Sequence, residues 1–408
     1  MTNKLKPMTV YLLMRGASGL FFSTVFTLGT LYRVNVAGLN PLQLVLVGTV
    51  LESFAFIFEV PTGVVADLYS RKLSLIIGFA VIGAGFVLEG SIPVLWAILA
   101  AQAIWAIGYT FTSGADSAWI ADEIGSKQAS RAYMRGSQAG QVGALLGIGV
   151  STALANVSLA LPLVAGGVAF MALSAFLYFA MTETGFSPVP QNERSTWRDM
   201  FGTFGSGLTE ARRQPVLRIL LLIGIFLGLS SEGIDRLWEV HLLEYSLPLA
   251  TMSAATWFGL VSAAASIISI IAVQLVAGKT RDGNPALLGL LVPAISTLFM
   301  ISIAVFALAG NLTLAVASNL AYVMFRRLNS PLREAWLNHT IPSRVRATVL
   351  SIGGQLDALG QIAGGPIIGL VATRVSVPAA LLVSAIILLP VPFMYTRAHK
   401  ISQSLQEA

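Results

Sequence analysis

Residues 59 to 72 read Glu59-Val60-Pro61-Thr62-Gly63-Val64-Val65-Ala66-Asp67-Leu68-Tyr69-Ser70-Arg71-Lys72. Four charged side chains fall within fourteen residues, between an apolar run at 41–66 and another at 73–92. A run of about 20 predominantly apolar residues is long enough to cross the hydrocarbon core of a bilayer as a helix, whereas a soluble core shows amphipathic segments of about 10 to 15. The stretch therefore reads as a short charged turn between two membrane helices. The same alternation continues along the whole chain. Apolar spans are predicted at 8–34, 41–66, 73–92, 94–121, 129–157 and 159–181, then at 216–245, 251–278, 285–309, 312–337, 345–372 and 377–396. Of the 408 residues 55% are apolar and only 11% charged, against about a quarter charged in an average soluble domain. A soluble globular protein is excluded.

The spans fall as six, a polar stretch, and six. The predicted organisation is an N-terminal six-helix bundle at 1–182, a linker at 183–214 and a C-terminal six-helix bundle at 215–408. The first apolar stretch is long enough to span and is not followed closely by a small-residue cleavage signature, so no cleavable signal peptide is expected. Cysteine is absent, which excludes disulfides and thiolate chemistry, and His241, His339 and His399 are too scattered for a metal site. No metal and no cofactor is expected. The net charge of +6 reads as Lys and Arg retained on the cytoplasmic side, not as a nucleic-acid surface. With both termini inside, 18 of the 25 basic residues lie on cytoplasmic segments and two, Arg33 and Arg374, on outer loops. The other five, Arg15, Arg236, Arg326, Arg327 and Arg333, lie within predicted spans.

The halves resemble one another. Ser113, Ala118, Trp119, Ile124 and Ser126 recur as Ser330, Ala335, Trp336, Ile341 and Ser343 at an offset of 217, and Gly63 and Asp67 recur as Gly278 and Asp282 at 215. Two nearly equal offsets point to a duplicated six-helix unit.

The spacing Gly63, Asp67, Arg71, Lys72 resembles the loop signature of the major facilitator superfamily, Gly-x-x-x-Asp-x-x-x-Arg-Arg/Lys, and the preceding Glu-Val-Pro-Thr-Gly is similar to its drug-efflux branch of macrolide and tetracycline exporters. The resemblance implies an all-α membrane protein of 12 transmembrane helices in two pseudo-symmetric bundles. It also implies secondary active transport by alternating access, with helices one, four, seven and ten lining a cavity, in a bacterial inner membrane. Two departures qualify it. The fourth helix lacks the Arg-x-x-Gln-Gly pattern of the proton-driven drug antiporters, reading Ile104-Trp105-Ala106-Ile107-Gly108 instead. The fifth helix has Gly140, Gly143, Gly147 and Gly149 without the antiporter proline, and a Gly364-Gly365-Pro366 set appears in the eleventh. Small residues at such spacing suit either sliding between halves or tight static packing.

Proton coupling must then rest on charges at membrane depth, each of which costs about 2.5 kcal/mol or more unless paired or facing water. At about 1.5 Å per residue, Arg15 and Asp116 both lie roughly 8 to 10 Å from the cytoplasmic helix ends and are expected partners. Asp357 is matched in the same way with Arg326 or Arg327, while Glu232 and Arg236, at i and i+4, are expected to pair locally and leave Asp235 for the cavity. Burial disfavours a charged carboxylate and a neighbouring Arg favours it, so a carboxylate that exchanges its Arg partner during rocking binds and releases a proton. The candidates are Asp116, Glu232 and Asp235, with Asp357 and Glu52 behind them. The substrate cavity is expected to hold Arg15, Phe22, Phe26, Trp105, Tyr109, Trp238, Tyr322 and Arg326, rings and charges suited to amphipathic or cationic ligands. In the loop, Gly63, Asp67, Arg71 and Lys72 form a candidate gate in which Asp67 caps a neighbouring helix and pairs with a base. Gly278-Lys279-Thr280 imitates a phosphate-binding loop, but Val273 stands where that motif needs Gly.

The expected function is proton-coupled export of hydrophobic or amphipathic drugs by a monomer whose partners are a small molecule, protons and the bilayer. The alternative is transport of an endogenous siderophore, lipid or sugar. A receptor or scaffold is disfavoured because the longest polar segment has 33 residues. No enzyme chemistry is expected, since no nucleophile, base and acid set stands out.

Overall fold

The computed structural model describes residues 5–187, 202, 214–280, 284–341 and 343–407. Most of the expected linker, with Arg194, Arg198, Arg212 and Arg213, lies outside the described residues, as do Arg281 and Asp282 of the second loop copy. The described residues are helical, without strands. The helices are α1 (Pro7–Phe26), α2 (Gly29–Asn35), α3 (Pro41–Leu68), α4 (Arg71–Ser91), α5 (Leu95–Thr112), α6 (Ala115–Ile124), α7 (Ser126–Ala155) and α8 (Leu161–Ala180). They continue as α9 (Pro215–Leu243), α10 (Ala254–Thr280), α11 (Pro285–Ala307), α12 (Leu312–Thr340), α13 (Ser343–Arg374), α14 (Val377–Leu388) and α15 (Pro390–Glu407).

These make twelve spans, because three spans are broken. Residues 8–34, 94–121 and 377–396 were each expected as one continuous helix, and each is two. The first breaks at Thr27 and Leu28, where the Thr27 hydroxyl donates to the Ser23 carbonyl at 2.6 Å in the last turn of α1. The fourth breaks at Gly114, whose φ of +73° is a left-handed conformation that glycine adopts without strain. The last breaks before Pro390, which has no N–H to continue the ladder. Ten spans are long and apolar enough to cross a membrane among the described residues. The fifth, α7, begins Ser126-Lys127-Gln128-Ala129-Ser130-Arg131, and the tenth, α12, carries Arg326, Arg327, Arg333 and Glu334.

Contacts divide the chain into two compact units, one from 1–39, 50–200 and 249–259, the other from 40–49, 201–248 and 260–408. In the first, Tyr11, Met14, Phe86, Trp119 and Phe170 are fully buried. Helix α7 lies on α1 so closely that a Cβ at Gly143 would meet the Gly16 carbonyl and the Leu20 nitrogen. In the second, α13 lies on α9, with Gly360 against the Ile225 carbonyl and Gly364 against the Leu229 main chain. The glycine-rich fifth and eleventh helices thus serve close packing inside each unit. The repeated tryptophans occupy equivalent places. Trp119 is 1% exposed and donates to the Thr182 carbonyl beyond α8, while Trp336 is 1% exposed and meets Tyr395 of α15 edge-on at 5.5 Å.

Candidate functional site

In the first unit Arg15 of α1 donates through Nη1 to Asp116 Oδ2 at 2.9 Å. The break at Gly114 makes this possible. It starts α6 afresh, so that Asp116 stands in a first turn, where its other oxygen accepts from the Ser117 N–H at 2.6 Å. Arg15, Ser18, Phe22, Tyr109 and Asp116 line a cavity of about 180 Å³. Arg15 Nε and the Ser18 hydroxyl are buried without hydrogen-bond partners among the described residues. Above the pair the aromatic candidates gather into one cluster. Phe22 stacks on Phe26 at 5.7 Å, Phe26 lies 5.5 Å from Trp105, and Trp105 meets Tyr109 edge-on at 6.2 Å, with Phe86 and Phe170 behind them.

Trp105 is anchored by a chain of buried polar groups. Its Nε1 donates to Gln102 Oε1, Gln102 Nε2 donates to Glu89 Oε2, and Arg33 Nε donates to Glu89 Oε1, each at 2.7 Å. The Tyr32 hydroxyl adds a bond to the Glu89 carbonyl at 2.7 Å. Arg33 was expected in an outer loop; its side chain is instead 5% exposed, against 0% for Glu89. Glu89 and Gln102 were not foreseen. The available signal was a single acid in the third apolar run at the same end of the bundle as Arg33, since a buried charge demands an opposite one.

In the second unit Asp235 of α9 and Arg326 of α12 form a two-pronged ion pair, with Arg326 Nη2 2.8 Å from Asp235 Oδ2. This corrects the expected partnership of Asp357 with Arg326 or Arg327. Equal depth does not establish adjacency, and it is α9 that presents a carboxylate to Arg326. Asp357 instead accepts from Gln361 Nε2, one turn on, at 2.9 Å. Asp235 is therefore not left open, while Glu232 and Arg236 do pair, at 3.3 Å. Tyr322 is 5% exposed, hydrogen-bonded to Arg326 and stacked on Phe299 at 6.0 Å. Trp238 on α9 and Glu52 on α3 are half-buried. The signs in the two units are exchanged: the first span supplies the base and the fourth the acid, while the seventh supplies the acid and the tenth the base.

The loop motif is bound to its own unit. Arg71 Nε is 2.9 Å from Asp122 Oδ2 at the end of α6. Lys72 Nζ caps α8 by donating to the Tyr178 and Met181 carbonyls at 2.9 and 2.8 Å. Glu183 accepts from the Lys72 N–H at 2.9 Å and from the Ser70 hydroxyl. Nearby, Glu123 receives the Thr184 and Gly185 N–H groups at 2.5 and 2.8 Å. Asp67 is half-buried and makes no hydrogen bond or ion pair with the described residues of its unit; a Cβ at Gly63 would meet nothing within 4 Å.

Comparison with known proteins bears on the whole chain. A sequence profile described as Major Facilitator Superfamily matches residues 8–327. The chain is 22% identical over 363 residues to the uncharacterized MFS-type transporter YxaM of Bacillus subtilis (strain 168), covering 89% of each sequence. Among solved structures it is similar to the nucleoside transporter NupG, with a TM-score of 0.74 at 14% identity over 97% of this chain and 99% of that one. A POT family transporter in complex with a thioalcohol-conjugated peptide gives 0.75 at 12% identity, over 95% and 94% of the two chains. A bacterial homolog of the human lysosomal transporter Spinster, inward-facing and unoccupied, gives 0.71 at 15% identity, over 97% and 96%.

Proposed function

The chain belongs to the major facilitator superfamily, and from that premise we propose that it is a secondary active carrier working by alternating access, coupled to protons, that exports hydrophobic or amphipathic compounds. The observation that carries this reading is the reciprocal pair of ion pairs, Arg15 with Asp116 and Asp235 with Arg326, each lining or adjoining a cavity at membrane depth. Neither pair is sealed. The side chains are 42% and 14% exposed in the first and 40% and 29% in the second. A buried carboxylate held by a guanidinium stays charged, and one that loses it takes up a proton, so opening such a pair couples conformation to protonation. The aromatic cluster of Phe22, Phe26, Trp105 and Tyr109 supports an amphipathic cargo, since flat polarisable rings bind apolar bodies without fixed geometry.

The fold supports a multi-pass membrane protein, the basic bias of alternate loops supports cytoplasmic termini, and the Bacillus subtilis relative supports a bacterial cell membrane. We place no enzymatic step, metal or cofactor in it. A second reading, transport of an endogenous metabolite, is favoured by the polar lining of the second unit's cavity, which includes Ser230, Ser231, Asn329 and Gln361. A drug-sensitivity and accumulation panel in an efflux-deficient bacterial host separates the two. Export of drugs predicts resistance and lowered accumulation for several unrelated apolar compounds; no change for any compound leaves the metabolite reading in its place.

A further inference from the structure

The described residues of the second unit enclose a cavity of about 250 Å³ bordered by α9, α11, α12 and α13 and another of about 180 Å³ bordered by α9, α12, α13 and α15. They share two residues, Arg333 of α12 and Asp357 of α13. The smaller is otherwise apolar at Leu220, Leu221, Leu337 and Val349. The charges inside them are unequally satisfied. Arg326 is occupied by Asp235. Arg333 has no carboxylate within 4.0 Å among the described residues; its side-chain neighbour is the neutral Tyr395 hydroxyl, and its Nε is buried without a hydrogen-bond partner among them. The Asp357 carboxylate has Gln361 on one oxygen. One guanidinium and one carboxylate thus face the same space without bonding to each other.

Opposite charges withdrawn from water and left apart are costly, and a ligand that supplies the missing partner to each removes that cost. The site as a whole is neutral. A ligand with a single charge would leave one of the two groups unmatched, whereas one with both signs answers both. Together the cavities suit a small molecule, since ligand pockets run to about 300–1,000 Å³.

We propose that the two cavities form one binding site for a zwitterionic amino acid with a bulky apolar side chain, its carboxylate on Arg333, its ammonium on Asp357 and its side chain in the apolar cavity. This rests on the reading of the chain as a carrier and names a cargo class for it.

The test is calorimetric titration of the purified full-length protein with L-phenylalanine, 3-phenylpropionate, which lacks the ammonium, and 2-phenylethylammonium, which lacks the carboxylate. Wild type is expected to bind L-phenylalanine saturably and each truncated compound at least tenfold more weakly. Arg333→Gln is expected to weaken L-phenylalanine and 3-phenylpropionate tenfold or more while leaving 2-phenylethylammonium unchanged, with Arg333→Lys restoring most of the loss. Asp357→Asn gives the mirror pattern. No saturable binding of L-phenylalanine by wild type overturns the proposal, as does a truncated compound that binds equally well or a variant that weakens all three alike. The wild-type comparison decides even where a variant fails to fold. Titration needs no gradient, so the site and the carrier reading fail separately. Binding without movement of L-phenylalanine into proteoliposomes keeps the site and counts against transport, while drug efflux without that binding keeps the carrier and rejects the site.

Discussion

Replacing Arg33 with Leu leaves the Glu89 carboxylate in an environment that is 0% exposed and keeps only the Gln102 amide as a side-chain partner. Breaking a buried pair from one side costs about 3–5 kcal/mol, because the remaining charge is uncompensated. At 2–4 °C per kcal/mol for a unit of about 150–250 residues, the thermal midpoint of the first unit falls by roughly 6 to 20 °C. Glu89→Gln strands Arg33 and is expected to cost a similar amount. The double variant Arg33→Leu, Glu89→Gln removes both charges and retains a side-chain amide that accepts from Gln102. It is therefore expected to be more stable than either single variant. The assay is unfolding of the purified protein followed by tryptophan fluorescence, which also reports on Trp105 at the end of the chain of bonds. Single variants within about 1 kcal/mol of wild type, or a double variant whose loss equals the sum of the singles, would refute the reasoning.

Three further outcomes follow from the packing and the loop. Gly143→Leu drives a side chain into the Gly16 and Leu20 main chain and is expected to reduce the yield of monodisperse protein on size exclusion, whereas Gly149→Leu, where a Cβ meets nothing within 4 Å, leaves it intact. Arg71→Ala leaves the buried Asp122 Oδ2 without its counter-charge, so it is expected to cost about 1–3 kcal/mol of stability and to lower transport; an unchanged melting temperature with normal transport contradicts that reading. Asp67→Ala is expected to lower transport with expression unchanged, since the residue contributes no bond to its own unit, and normal transport by that variant removes it from the gate.

The twelve spans were legible because apolar run length and loop charge are set by the bilayer. Residues 59–72 marked the junction of two helices, but the turn itself is only Tyr69 and Ser70, with residues 59–68 continuing α3; the Ala-Trp repeat marked two equivalent buried positions at Trp119 and Trp336. The helix breaks were not legible in hydropathy. Gly114 and Thr27 interrupt the ladder without lowering apolar content, yet the break at Gly114 is what presents Asp116 to Arg15. Depth alone paired Arg15 with Asp116 but mispaired Asp357, because rise along a helix gives height and says nothing of rotation or neighbours. Arg33 was read as a loop residue since it ends a span, and the acid that buries it, Glu89, lies 56 residues away.

Proton coupling through the two exchanged ion pairs is the central claim, and the most direct measurement is proton flux in everted membrane vesicles holding the full chain. A pH-sensitive dye follows the respiratory proton gradient while an exported compound from the resistance panel is added. Wild type is expected to dissipate part of the gradient on addition, and Asp116→Asn and Asp235→Asn to abolish that response while the proteins remain in the membrane at wild-type abundance. Undiminished dissipation in both variants, or export by wild type that continues unchanged after a protonophore collapses the gradient, would contradict the account.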